Sequence, residues 1–150
     1  MKINRLNLSV AIQADKTDIW HALWDDANYR EWTKVFFEGS YAVPADNWKE
    51  GSQVMFLAPD KNGMYSHIET HIPNEKIEFK HIGSVVEGKP QPIDEDTKKW
   101  SDTTECYYIT EGTDHNTLTI DIDVMEEHLE VMNRTLVLAL EKVKEMAERA

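Results

Sequence analysis

From about Met125 to Arg149 the chain has no Gly or Pro, and apolar residues recur at Leu129, Met132, Leu136, Leu140, Val143 and Met146. Steps of three or four residues place them in one stripe along a helix. Val137, Leu138 and Ala139 widen that stripe, which predicts the helix centre to be its most buried part. At ~1.5 Å per residue the helix is about 36 Å long, enough to cross a sheet. The region before it reads as repeated short strands. An apolar helical stripe needs an apolar partner, so this helix has to lie across that sheet. A curved sheet closing on one helix leaves space between them, and that space is where a function can reside.

The breakers agree with this layout. Every Gly and Pro lies between Gly39 and Pro92, apart from Gly112. Long elements belong at the two ends and hairpins in between. Residues Ile3 to Gln13 alternate, with Leu6, Leu8, Val10 and Ile12 on one face, as in a strand with one buried side. Asp15 and then Asp25 or Asp26 are positioned as N-caps of two short helices, the first carrying Ile19, Trp20, Leu23 and Trp24, the second Tyr29 and Trp32. Further strands are predicted at Glu38 to Val43, Gln53 to Ala58, Met64 to Ile72, Lys76 to Ile82, Thr103 to Glu111 and Thr117 to Val124. Residues 59–63, 73–75 and 112–114 have turn chemistry. Gly83 to Lys99, with Pro90 and Pro92, reads as one long irregular segment, of the kind that serves as a functional loop or is disordered.

Bulk properties narrow the function. The 150 residues form one expected domain, 1–150, large enough to sustain a core without metals or disulfides. The single cysteine, Cys106, excludes an internal disulfide and fits a reducing compartment, so a cytoplasmic location is expected. No stretch approaches the ~20 apolar residues of a membrane span. The net charge of −12, with no basic run, argues against nucleic acid and anionic membranes as partners.

Strand pairing predicts which polar side chains face inward. A symmetric hairpin around Pro73 sets Ile72 opposite Ile77, Thr70 opposite Phe79 and Ile68 opposite His81. That face carries Met64, Ser66, Ile68, Ile72, Ile77, Phe79 and therefore His81. The hairpin around Gly112 sets Ile109 opposite Leu118, Tyr107 opposite Ile120 and Glu105 opposite Ile122. His81, Glu105 and Tyr107 thus share an apolar interior, where polar groups need partners. Four readings stay open. They bond one another, a one-residue register slip turns them outward, they orient a ligand, or His81 acts as a general base tuned by Glu105.

Other candidates read as structural. His67 and His71 lie four apart on a strand, about 13 Å, too far to share one metal ion, and both fall on the predicted outer face. Cys106 faces away from Glu105 and Tyr107 with no base near it. No nucleophile elbow or phosphate-binding loop is present. No catalytic residue, metal or cofactor is expected.

Several strings carry a family resemblance. They are Ile19-Trp20-His21-Ala22-Leu23-Trp24-Asp25-Asp26 with Tyr29 and Trp32-Thr33, then Trp48-Lys49-Glu50-Gly51-Ser52, then Pro73-Asn74-Glu75 with Phe79-Lys80-His81-Ile82-Gly83. In this order the chain resembles the START-like (SRPBCC) superfamily, in the branch named after the activator of the heat-shock-90 chaperone ATPase. The resemblance implies an α+β helix-grip fold: seven antiparallel strands curved around the C-terminal helix, with two short helices after the first strand. It also implies an apolar cavity with Trp32, Phe36 and Trp48 near its mouth. The first functional expectation is a binding domain for a small apolar or aromatic ligand. Phe56, Met64, Ile68, Phe79, Ile120, Leu136 and Leu140 would line it with Trp32. Ser66, His81, Glu105 and Tyr107 would be its polar groups, and Gly83 to Lys99 would gate it. The alternatives are a protein-interaction module with a chaperone as partner, and an enzyme of the cyclase or hydrolase kind. A monomer or a homodimer is expected.

Overall fold

A computed structural model describes residues 2–150. The chain runs β1 (Ile3–Ile12), α1 (Lys16–Trp24), α2 (Asp26–Trp32), a 3-10 turn at Thr33–Val35, β2 (Tyr41–Pro44), β3 (Gln53–Leu57), β4 (Gly63–Ile72), β5 (Lys76–Val86), β6 (Lys89–Pro90), α3 (Glu95–Lys98), β7 (Thr104–Glu111) and β8 (Asn116–Met125). A second 3-10 turn, Glu126–His128, leads into α4 (Leu129–Arg149). One antiparallel sheet holds all strands in the order β1-β8-β7-β5-β4-β3-β2, with the two-residue β6 attached to β5. The architecture is the α+β helix grip: seven strands in a curved path, two short helices after the first strand, and a long C-terminal helix against the inner face.

The helix packs on β1, β8 and α1. Leu136, Ala139, Leu140, Val143 and Ala147 are buried, and Leu129, Met132 and Met146 are half-buried against the same core. The stripe is narrower than its sequence suggests. Val137 and Leu138 are exposed, Leu138 by 59%, because positions one and two residues past Leu136 rotate away from the sheet.

The hairpins differ in register. Around Gly112 the pairs are Ile109↔Leu118, Tyr107↔Ile120 and Glu105↔Ile122, as the sequence predicts. Around Pro73 they are not. The turn holds three residues, so Ile72 pairs with Lys76 and His71 with Ile77. A bulge between Ile68 and Thr70 then shifts β4 once more, and the pairs become Ile68↔Phe79 and Ser66↔His81. Two single-residue shifts restore the parity, so Ser66, Ile68, Phe79 and His81 all face inward. Between the shifts the parity is inverted. Ile72 is exposed, and His71 turns inward to stack on Trp20 with ring centroids 6.2 Å apart.

Residues 83–99 are largely ordered into elements. β5 continues to Val86 and turns at Glu87-Gly88, whose φ angles of 51° and 81° suit the tight hairpin that right-twisted strands favour. The chain then returns through β6 and enters α3, where Asp94 accepts from the Thr97 N–H at 2.8 Å.

Candidate functional site

A hollow of about 320 Å³ lies between the sheet and α4. Its sheet side is formed by Phe56, Met64, Phe79, Glu105, Tyr107 and Ile122. Trp24, Tyr29 and Trp32 close it on the α1–α2 side, and Met132 and Leu136 come from α4. The rim is made by Thr33, Phe36, Phe37 and Ser40 after α2 and by the β3–β4 loop. At Gly63 on that rim a Cβ would stand 1.9 Å from the Phe56 carbonyl oxygen, so only glycine lets the loop close this tightly.

Aromatic rings set the shape. Phe56 meets Phe79 edge-on at 5.2 Å and 89°, and Trp24 meets Tyr107 at 5.0 Å and 84°. Edge-to-face pairs of this kind contribute about 0.5–1.5 kcal/mol each beyond area burial. Trp32 is fixed by a 2.9 Å bond from its indole N–H to the Leu23 carbonyl.

The polar groups form one chain. His81 Nε2 lies 3.1 Å from Glu105 Oε1, the Tyr107 hydroxyl donates to Glu105 Oε2, and Ser66 Oγ lies 2.7 Å from His81 Nδ1. An ionised carboxylate only accepts, so His81 donates through Nε2, and in the neutral ring Nδ1 accepts from the Ser66 hydroxyl. Burial alone would raise the Glu105 carboxyl. The hydrogen bonds from His81 and from the Tyr107 hydroxyl outweigh burial and hold it below the ordinary carboxylate value. Burial, then the Glu105 charge, push the Tyr107 phenol well above its ordinary value and raise that of Tyr29 too. The result is a neutral hydroxyl serving a charged carboxylate. The Glu105 side chain keeps 17% exposure and lines the hollow.

Of the residues proposed from sequence, Trp32, Phe56, Met64, Phe79, Glu105, Tyr107 and Leu136 line this hollow. Ser66, Ile68, Ile120 and Leu140 are buried in the packed core instead. His81 stands behind Glu105 and does not line the space, so a general base there has no path to a ligand atom. Ser66 is fully buried, which removes it as a nucleophile although it sits on a histidine that sits on a carboxylate. Residues 83–99 contribute nothing to the rim, so they do not gate this opening.

Trp24, Tyr29, Phe37, Ile122 and Met132 also line the hollow, and the sequence does not mark them as site residues. Met132 had a signal, since it lies one turn before Leu136 on the stripe. Trp48 lines a different hollow, described below. Cys106 is buried, and burial pushes its thiol up to about 11, well away from reactive thiolate. Among the described residues no cluster of three or more His, Cys, Asp or Glu side chains is placed to hold a metal ion. No helix among them is long and apolar enough to cross a membrane.

Comparison with known proteins gives the fold and stops there. No family model and no curated protein sequence matches the chain. Solved structures do. The solution structure of the Aha1 dimer from Colwellia psychrerythraea superposes with a TM-score of 0.71 at 16% identity, over 97% of this chain and 96% of that one. ChR145 from Cytophaga hutchinsonii gives 0.69 at 18% identity, over 99% and 97%. DynU16, a protein of the dynemicin biosynthetic locus, gives 0.66 at 11% identity; 96% of this chain aligns with 47% of that one. At such identities the shared property is the helix-grip architecture, and the site has to be read from this chain's own residues.

Proposed function

We propose that this domain binds a small, uncharged, aromatic or apolar molecule in the hollow between sheet and α4. The observation that carries the reading is the aromatic-lined space of about 320 Å³ with one charged residue in its lining, Glu105, supplied with donors from behind. The volume stands at the small end of the range for ligand pockets, about 300–1,000 Å³, and suits a two-ring compound. No Lys or Arg lines the space, so a carboxylic acid would bring a second negative charge beside Glu105 with nothing to balance it. A hydroxyl on the ligand would find in Glu105 a strong acceptor.

Three probes of one shape test this by calorimetry and thermal shift. 2-Naphthol should bind and raise Tm, 2-methylnaphthalene should bind less tightly, and 2-naphthoate should bind at least tenfold more weakly than 2-naphthol. No binding by any of the three would defeat the reading.

One observation favours a second reading, a protein-interaction role. Val131 and Leu138, seven residues apart, and Val137 beside them stay exposed on the outer side of α4. The similarly folded Aha1 structure is a dimer by its own description. If this face docks a second copy, sedimentation should show a dimer that Leu138→Glu converts to monomer. A monomer at all concentrations would remove that occupant and leave a chaperone-type partner without support from this surface.

A further inference from the structure

A second hollow of about 450 Å³ opens on the other side of Trp24 and Tyr29, between α1, β4 and the segment that follows β2. Its walls are rings: Trp20, Trp24, Tyr29, Trp48 and His71. Asp25 and Asp26, at the junction of α1 and α2, also line it, and no Lys or Arg does.

Its polar atoms are incompletely satisfied. Among the described residues three buried side-chain nitrogens lack a hydrogen-bond partner: Asn4 Nδ2, Trp24 Nε1 and His71 Nε2. Two of these three belong to residues of this hollow. His71 Nδ1 lies 2.7 Å from the Trp48 carbonyl oxygen, which can only accept. Nδ1 therefore carries the proton, and in the neutral ring Nε2 is a bare lone pair. The backbone here is also strained. Asn47 and Trp48 have φ of 48° and 64°, an uncommon setting for a residue as bulky as tryptophan, and the His71 bond pins Trp48 in it. Strain held in place by a specific bond is characteristic of sites with a task.

Ring faces, carboxylates and an unshared imidazole lone pair are complementary to one kind of group. A cation is attracted by the ring quadrupoles and by the two aspartates. The His71 lone pair, buried behind the ring wall, adds to that negative potential without opening onto the hollow. Both aspartates already have partners, Asp25 with His21 at 3.0 Å and Asp26 with Arg30 at 3.0 Å. These are exposed pairs one helical turn apart, which contribute little and exchange readily. We propose that this second hollow binds an organic primary ammonium, such as an arylalkylamine, held against the ring faces with its charge toward Asp25 and Asp26. The site is separate from the hollow under α4 and does not depend on the function assigned there.

Five tryptophan indole N–H signals in an NMR spectrum make the test local. Phenethylammonium should shift the Trp20 and Trp48 signals while Trp32, which lines only the first hollow, and Trp100 stay still. At pH 7 it should bind at least tenfold more tightly than the uncharged 2-phenylethanol, and phenylacetate should leave all five signals unmoved. Asp25→Asn with Asp26→Asn, both on the exposed rim, should weaken phenethylammonium at least threefold, and His71→Gln should weaken it further. Equal shifts from 2-phenylethanol, movement centred on Trp32, or an unchanged affinity in the double aspartate variant would each overturn the proposal. The wild-type ranking of the three probes decides the matter even if a variant folds poorly.

Discussion

The two hollows share a wall, the Trp24–Tyr29 pair stacked at 6.2 Å and 22°, and they treat buried polarity in opposite ways. Toward α4, each member of the Ser66–His81–Glu105–Tyr107 chain is bonded to the next, and one charged group is left facing apolar space. Toward β4, the imidazole of His71 is bonded at one nitrogen and unpaired at the other. A completed network specifies a rigid surface; an incomplete one specifies what is missing from it. The first hollow is therefore selective mainly by shape and by what its charge repels, the second by the positive charge that its rings and carboxylates attract.

The sharpest way to break this comparison is to remove the wall. Trp24→Ala deletes a buried ring that touches Trp20, Tyr29, Trp32, Trp48, Phe79 and Tyr107. It should cost about 3–5 kcal/mol in urea unfolding, the usual range for a buried Trp→Ala change, and abolish selectivity at both sites. A loss under ~1 kcal/mol would mean the hollows are not separated by packing.

A smaller effect is expected at the floor of the first hollow alone. Glu105→Gln keeps the shape but removes the charge that His81 and Tyr107 serve, and should cost about 1–3 kcal/mol. Its pH signature is distinctive. Because the folded state holds the Glu105 carboxyl below its unfolded value, its stabilisation is complete above the unfolded value and disappears as pH falls through the folded one. Wild-type protein should thus lose its advantage over Glu105→Gln on acidification below about pH 4, near the ordinary carboxylate value. A gap between the two that stays constant down to pH 2 would show that Glu105 contributes by packing rather than by charge. Phenethylammonium binding in the second hollow should be the same in both proteins.

How far the sequence could be read depended on local symmetry. The Gly112 hairpin has a symmetric turn and no bulge, so counting outward from the turn placed Glu105 and Tyr107 correctly. The Pro73 hairpin contains a three-residue turn and a bulge at Glu69, neither of which alternation reveals, because Glu69 and Thr70 are both plausible strand residues. His81 came out facing inward only because the two shifts sum to an even number. His71 lies between them, so its inward turn was illegible, and with it the second hollow. The Glu87-Gly88 turn was missed for another reason: a glutamate with positive φ is rare, so the pair does not announce a hairpin as Asn-Gly would. Val137 and Leu138 were misplaced because an apolar residue on a helix need not be a buried one.

β1 sits at one end of the sheet and its neighbour there is β8, with Ile3 opposite Met125. The first strand of the barrel-like wall must wait for nearly the whole polypeptide before it finds its place. Pairings this distant in sequence bring a heavy loop-closure cost before any reward, so the chain belongs with the slow folders, and its opening strand is the stretch that most needs shielding until the last hairpin arrives.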